Sequence, residues 1–344
     1  MSTSKTQRAL ELGPTEQMLQ MMSGLWVTRG IYVAAKLGIS DELKNGPKTV
    51  SELAAATGTN EDSLYRVLRM LATTGVYQET PGRTFSLTPL SETLLSDIKG
   101  SLRPGAIAEL GEMHYAAWGN ILHTVKTGEI AFDAHFGMNV WQYLENEPEK
   151  ADNFNRYMAG SSELLNQAIS QKYDFSGYNT LVDVGGGLGG MISAILAANP
   201  ELKGIVFDAP SVVAKSKEFL AERGLSGRAD AIGGDFFESV PAGGDIYSMR
   251  WILHDWEDSK CLTILENIKK VMPKNGKLLL AEAVVPESGE PHFSKFFDLI
   301  MLTMTGGRER TEAEWKALLS KAGFKIERII PTESFLSIIE TVVV

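Results

Sequence analysis

One cysteine, Cys261, is all the thiol chemistry that 344 residues contain. No intramolecular disulfide can form, and no cysteine-based metal cluster either. Cys261 falls in a helical pattern, where it reads as a small buried apolar residue. Basic residues are also in deficit. Against 43 Asp and Glu stand 33 Lys and Arg, a net charge of −10, with a pI of about 5.2. That deficit argues against nucleic acid or an anionic membrane surface as the main partner. No apolar run reaches the ~18 residues a membrane span needs, so none is expected. The N-terminus shows no basic region followed by an apolar run, so no signal peptide is expected and a cytoplasmic location is. With 44% apolar and 22% charged residues, the composition is that of a soluble globular protein with room for two domains.

What is there centres on residues 179–190, Asn179-Thr180-Leu181-Val182-Asp183-Val184-Gly185-Gly186-Gly187-Leu188-Gly189-Gly190. A short apolar run, the pattern of a buried parallel strand, ends beside an acid. Five glycines then fall within six residues, letting the backbone turn sharply and approach a ligand. Met191-Ile192 and Ile195-Leu196 sit at helical spacing just beyond. Strand, Gly-rich turn and helix open the nucleotide site of a doubly wound sheet. The glycines alone leave two readings. Gly185, Gly187 and Gly190 satisfy the dinucleotide fingerprint G-x-G-x-x-G. Asp183 with Gly185, Gly187 and Gly189 satisfies D-x-G-x-G-x-G, which resembles motif I of class I S-adenosylmethionine (SAM) methyltransferases.

Upstream, Met18, Met21, Met22, Leu25 and Trp26 recur at helical steps, a stripe that suits either core or a subunit interface. Thr49-Val50-Ser51-Glu52 is a capping box opening a short helix that Gly58 ends. A second helix carries Leu64, Val67, Leu68 and Leu71 on its apolar face and stops at Gly75. Residues 76–79 and 84–87 read as strands around a Pro81-Gly82 turn. Helix, helix, hairpin is a winged-helix arrangement. Its second helix has Arg66 and Arg69 but starts with Glu61-Asp62, and a DNA-facing helix should offer a basic stripe. A structural or dimerising role is the stronger expectation.

Residues 101–172 read as helical and rich in aromatics, among them Tyr115, Trp118, Phe132, Trp141, Phe154 and Tyr157. Many must be core, and a few are expected to line an apolar pocket for an aromatic molecule. His114, His123 and His135 match no metal spacing.

After the glycine loop, strands and helices alternate. Lys203–Asp208 is a second strand ending in an acid, 23 residues beyond Gly185, where it can hold ribose hydroxyls. Residues 228–233 are a weak third strand, followed by Asp235 and Phe236, one able to accept from an adenine amino group and the other to cover its ring. Residues 244–251 form the fourth strand and run into Ile252-Leu253-His254-Asp255-Trp256, placing His254 at the ligand crevice. Glu282 lies near the end of the fifth strand, 277–285, among apolar residues, where a carboxylate must be paired or serve a purpose. Thr311-Glu312-Ala313-Glu314 is another capping box. Residues 324–330 and 335–344 read as a closing antiparallel hairpin.

On these residues the chain resembles the large dimeric family of SAM-dependent O-methyltransferases that includes caffeic acid, hydroxyindole and bacterial natural-product enzymes. The resemblance spans nearly the whole chain and rests on the winged-helix module, Asp183 to Gly189, His254-Asp255-Trp256 and Gly306-Gly307-Arg308-Glu309-Arg310-Thr311. It implies a winged-helix-like dimerisation domain over 1–100, a helical linker and substrate-pocket region over 101–172, and a Rossmann-like SAM domain with a C-terminal antiparallel hairpin over 173–344. It implies SAM as cofactor, S-adenosylhomocysteine as product, no metal, a homodimer, and a small aromatic substrate. Gly185, Gly187, Asp208, Asp235, Phe236, Arg250 and Ser162 would bind the cofactor, with Arg250 standing where the family usually has lysine. Phe154, Met158 and Trp251 would line the acceptor. His254 would be the general base, flanked by Glu282 and Glu309, with Asp255 sharing their work. Three other readings stand beside this one: a relative acting as N- or C-methyltransferase or as a non-methylating tailoring enzyme, a winged-helix regulator that senses SAM, and a nicotinamide dehydrogenase, which has no use for the residues after Trp251.

Overall fold

A computed structural model of the chain describes residues 13–160 and 163–344. Contacts divide it into two compact units, Met1–Leu110 and Gly111–Val344.

The first unit runs through helices α1 (Pro14–Leu37), α2 (Ile39–Leu43), α3 (Val50–Thr57) and α4 (Glu61–Thr73), with strands β1 (Lys48–Thr49), β2 (Tyr77–Thr80) and β3 (Thr84–Leu87). The strands pair antiparallel in the order β1-β3-β2. The capping box at α3 forms: Thr49 Oγ1 accepts from the Glu52 amide, and the Glu52 carboxylate accepts from the Thr49 amide at 2.7 Å. Leu64, Leu68 and Leu71 of α4 pack with Leu53, Tyr77 and Phe85. The methionine stripe of α1 stays out of this core: Met21 is 74% and Trp26 68% exposed. The helix Arg103–Glu109 belongs to this unit, since Arg103 donates to the Ala35 carbonyl and to Asp41, both at 2.8 Å.

In the second unit, short helices between Glu112 and Lys172 precede an α/β sheet. Its strands are β4 (Thr180–Val184), β5 (Lys203–Asp208), β6 (Ala229–Gly233), β7 (Ile246–Arg250), β8 (Lys277–Val285), β9 (Arg310–Thr311), β10 (Phe324–Pro331) and β11 (Leu336–Val343). The order is β10-β11-β8-β7-β4-β5-β6, with β9 beside the end of β8. β4 to β8 run parallel, whereas β11 is antiparallel to both β8 and β10. This is the doubly wound sheet with a C-terminal hairpin that the sequence leads one to expect. Successive strand residues face opposite sides: Val182, Tyr247, Leu278 and Trp315 build one core layer, and Leu181, Ile192, Leu279 and Ile338 the other. A third cluster joins Met113, Phe132 and Tyr143 of the helical segment to Met304. Several strand ends fall a residue or two from the sequence reading, and two of them bear on the site. β7 stops at Arg250 because Trp251 turns into the left-handed region, and β11 starts after Phe335, which stays in the link from β10. Among the described residues no helix is long and apolar enough to cross a membrane.

Candidate active site

The ends of β4, β5, β7 and β8 meet where parallel sheets of this kind bind ligands. At the end of β4 the chain turns through Gly185, Gly187 and Gly189, with φ of 70°, 57° and 92°. A Cβ on Gly185 would fall 2.4 Å from Ile252, whereas Gly187 faces open space. The turn is held from β5: the Gly185 amide donates to the Phe207 carbonyl and the Gly187 amide to Asp208 Oδ2, both at 2.8 Å. Ser216, which the sequence does not single out, donates to the Gly187 carbonyl at 2.8 Å. Burial pushes the Asp208 carboxyl above its usual range, and these amide contacts oppose it.

Beside the loop lie two buried charges with capacity to spare. Asp183 accepts from Ser248 Oγ at 2.8 Å through Oδ1, and its Oδ2 has no partner. Burial raises its carboxyl to about 7, against the Ser248 bond and the Arg250 charge. Burial lowers the Arg250 guanidinium to about 10, with Asp183 and Glu282 pulling the other way, and Nη1 also lacks a partner. A spare carboxylate oxygen and a spare guanidinium N–H complement the two charged groups of an amino-acid moiety. The cradle therefore fits a nucleoside bearing an amino acid. Asp235 is exposed and accepts from the Phe237 amide at 2.8 Å. Phe236 packs edge-on against Phe237 and Trp256. Ser162 lies outside the described residues.

After β7 the chain reverses sharply. Trp251 has φ 55°, a conformation costing a bulky residue ~1–3 kcal/mol and found where surroundings over-determine it. Glu282, fully buried on β8, accepts from the Ile252 and Leu253 amides at 3.2 and 3.1 Å. The next turn carries His254, 3% exposed. Its Nδ1 lies 2.7 Å from Glu309 Oε1 and 4.0 Å from Glu282 Oε2. Asp255 stands on the other side, 3.7 Å from Nε2, beyond hydrogen-bond reach. The sequence reading has Asp255 share the bond to the far nitrogen, but Glu309 holds that place alone. Burial works against an imidazolium here, yet Asp255, Glu282 and Glu309 outweigh it and raise His254 to about 10. Burial in turn lifts Asp255 to about 6 and Glu282 to about 7, with the imidazolium opposing both.

His254, Glu282 and Glu309 also place ligand-type atoms within 4.8 Å of one another. A metal would need Nδ1, which the Glu309 bond occupies, so the set reads as a hydrogen-bonded array.

Two residues that spacing does not mark hold this loop. Arg310, 1% exposed, donates to the Leu253 and Trp256 carbonyls at 3.1 Å and to Asp258 at 2.8 Å. The Arg308 amide donates to the His254 carbonyl at 2.8 Å. A Cβ on Gly307 would stand 1.8 Å from that same carbonyl oxygen.

The aromatic side of the site draws on more segments than the sequence reading names. Phe154 packs in the helical cluster with Met304 and Ile300, and Met158 is half-buried on the same helix, Pro148–Gly160. The rings around His254 are Trp251 and Phe297, at 6.3 and 5.7 Å, with Phe335 5.9 Å from Trp251. Phe335 opens the segment that reads in sequence as the last strand, and the sequence reading gives Phe297 no role.

Comparison with known proteins bears on this geometry. A family model described as an O-methyltransferase domain matches residues 118–325, and one described as an O-methyltransferase dimerisation domain matches residues 19–97. The phenazine O-methyltransferase PhzM of Lysobacter antibioticus is 46% identical over 94% of each chain. The mitomycin biosynthesis 6-O-methyltransferase of Streptomyces lavendulae is 38% identical over 92% of this chain and 90% of its own. A crystal structure of an O-methyltransferase from neocarzinostatin biosynthesis, in complex with SAM and 2-hydroxy-5-methyl naphthoic acid, is similar with a TM-score of 0.85. It is 31% identical and covers 98% of this chain and 100% of that one.

Proposed function

Because this chain belongs to the O-methyltransferase family, as a SAM-dependent methyltransferase with that family's dimerisation domain, we propose that it methylates a hydroxyl of a small aromatic molecule with His254 as general base. The observation that carries this is the buried 2.7 Å bond between His254 Nδ1 and Glu309. With Nδ1 donating to the carboxylate, the neutral imidazole keeps its lone pair on Nε2.

The chemistry asks for such a nitrogen. When bound, SAM supplies a methyl on a sulfonium, already electrophilic and positively charged. A phenol, with pKa around 10, is mostly protonated at neutral pH and a weak nucleophile. His254 Nε2 takes that proton as attack proceeds, a contribution of typically ~10²–10⁴-fold. The imidazolium that results is stabilised by Glu309, Glu282 and Asp255. In the ligand-free protein those same acids hold the proton on His254. A second positive charge in the site disfavours the imidazolium and frees the base.

On this reading Gly185 and Gly187 give the cofactor a close approach to the backbone, and Asp183 and Arg250 take its amino-acid end. Asp208 takes the ribose, Asp235 and Phe236 the adenine, and Ser162 a place near the carboxylate. Trp251, Phe154 and Met158 line the acceptor side. An aromatic acceptor is supported by the phenazine enzyme and by the naphthoic acid complex. A homodimer through the first unit is supported by the dimerisation-domain match and by the exposed stripe on α1.

The test is methyl transfer from isotope-labelled SAM to a panel of phenols and hydroxylated fused-ring compounds. Wild type and His254→Ala run side by side once both bind S-adenosylhomocysteine. Transfer that collapses in the variant is expected. Transfer that survives would mean an already ionised hydroxyl or another nucleophile, and the base assignment would fall.

A further inference from the structure

Trp251 is near-parallel to two rings, His254 at 6° and Phe335 at 25°, while Phe297 is tilted by 34° from Trp251 and by 59° from Phe335, all with centroids 5.4–6.3 Å apart. Phe293 extends the group, 4.9 Å from Phe335 and 6.2 Å from Phe297. None of these four aromatic residues joins the buried core clusters of the sheet. Phe297 and Phe335 are half-buried and Phe293 is 54% exposed. Aromatic rings gathered on a histidine yet left partly open are not completing the core. They offer faces to something flat. One polar group accompanies them. Trp251 Nε1 is buried and donates to nothing, so its N–H is available to an acceptor atom on whatever stacks there.

We propose that this cluster selects the acceptor: a planar fused-ring hydroxyarene that lays its plane along the near-parallel Trp251 and Phe335 rings with the tilted Phe297 ring against it, its hydroxyl at His254 Nε2 and a carbonyl or ring nitrogen beside that hydroxyl accepting from Trp251 Nε1. The inference rests on the O-methyltransferase reading and deepens it. The helical segment 111–172 contributes one wall at most, and ring-size selection belongs to residues from three other segments, 251, 293–297 and 335. At the left-handed turn of Trp251 its indole lies parallel to the imidazole of His254.

The test measures equilibrium binding to the enzyme loaded with S-adenosylhomocysteine, by quenching of tryptophan fluorescence and by calorimetry. Probes are 1-hydroxyanthraquinone, 1-hydroxyanthracene and the single-ring 4-methylphenol. Phe297→Leu and Phe335→Leu remove a ring face and keep apolar volume. Each should weaken both three-ring probes about fivefold and leave 4-methylphenol unchanged. Trp251→Phe keeps a ring and removes the donor. It should weaken 1-hydroxyanthraquinone about fivefold and spare 1-hydroxyanthracene. Melting temperature and S-adenosylhomocysteine affinity report whether the variants stay folded, and Phe335→Tyr, which keeps a face, should bind like wild type. Equal losses for one-ring and three-ring probes, or no loss, would overturn the proposal. Binding that behaves as expected with no methyl transferred to any hydroxyl would instead defeat the parent reading.

Discussion

Gly307 and His254 touch through their backbones so closely that a single methyl group cannot come between them: a Cβ on Gly307 would lie 1.8 Å from the His254 carbonyl oxygen. That carbonyl is also the acceptor for the Arg308 amide, and Arg310 grips the carbonyls of Leu253 and Trp256. The 307–310 loop thus sets the height of the imidazole while presenting Glu309 to it.

Gly307→Ala is expected to displace His254 by about an ångström and to lower kcat about a hundredfold. S-adenosylhomocysteine affinity should change little, because the cradle at β4 and β5 is untouched. Single-turnover kinetics beside calorimetric titration separate the two effects. Unchanged kcat would show that the two loops need not stay in register.

Glu309→Gln removes the anion that holds Nδ1. The His254 pKa in the ligand-free protein should fall from about 10, since one of three carboxylates is gone. The rate should drop roughly 10–100-fold through loss of imidazolium stabilisation. In wild type, kcat/KM should climb from pH 6 to pH 9 as the free enzyme loses the His254 proton, and the variant's profile should move to lower pH. Imidazole NMR shifts check the assignment directly.

Stability should fall as pH rises across this site. His254 is raised above its unfolded value of about 6.5, so its stabilisation is complete below that pH and is lost as pH rises through about 10. Glu282 is raised to about 7 mainly by burial, so the folded state favours its neutral form and loses stability as pH rises from about 4.5. Glu282→Gln keeps an acceptor for the Ile252 and Leu253 amides but cannot ionise. At pH 8 it should be more stable than wild type by on the order of 2 kcal/mol, and near pH 4 about equal. Denaturant titrations at the two pH values read the difference.

Arg250→Lys tests the amino-acid end of the cradle. A lysine keeps the charge beside Asp183 and Glu282 but loses the planar fork. Affinity for S-adenosylhomocysteine should weaken about tenfold with little loss of folding stability. Arg250→Met should be far worse for folding, because two buried carboxyl groups lose their cation.

Trp26→Asp combined with Met22→Asp places charge on the exposed stripe of α1. Sedimentation velocity should report a homodimer for wild type and a monomer for the double variant. A dimer that survives would put the interface elsewhere.

Local chemistry made much of this molecule legible before any fold was known. The apolar runs at 181–184 and 277–281 and the glycines after Asp183 specify strand, turn and helix by backbone sterics and burial alone. The capping boxes at Thr49 and Thr311 form as written because their partners lie three residues apart. Other features depend on which segments meet, and that is decided only when the sheet closes. Residues 251, 293–297 and 335 are separate in the chain, and the fold brings Trp251 and Phe297 to His254 and Phe293 and Phe335 against those two rings. Asp255 adjoins His254 in sequence yet stands on the Nε2 side, because a tight turn points neighbouring side chains apart, while Glu309 arrives at Nδ1 from the loop just before β9, the strand paired with β8. In sequence Arg310 is marked only as a member of the Gly306-to-Thr311 motif. It is buried because the carbonyls of Leu253, Trp256 and Arg308 and the Asp258 carboxylate answer its donors, and only the folded chain supplies them.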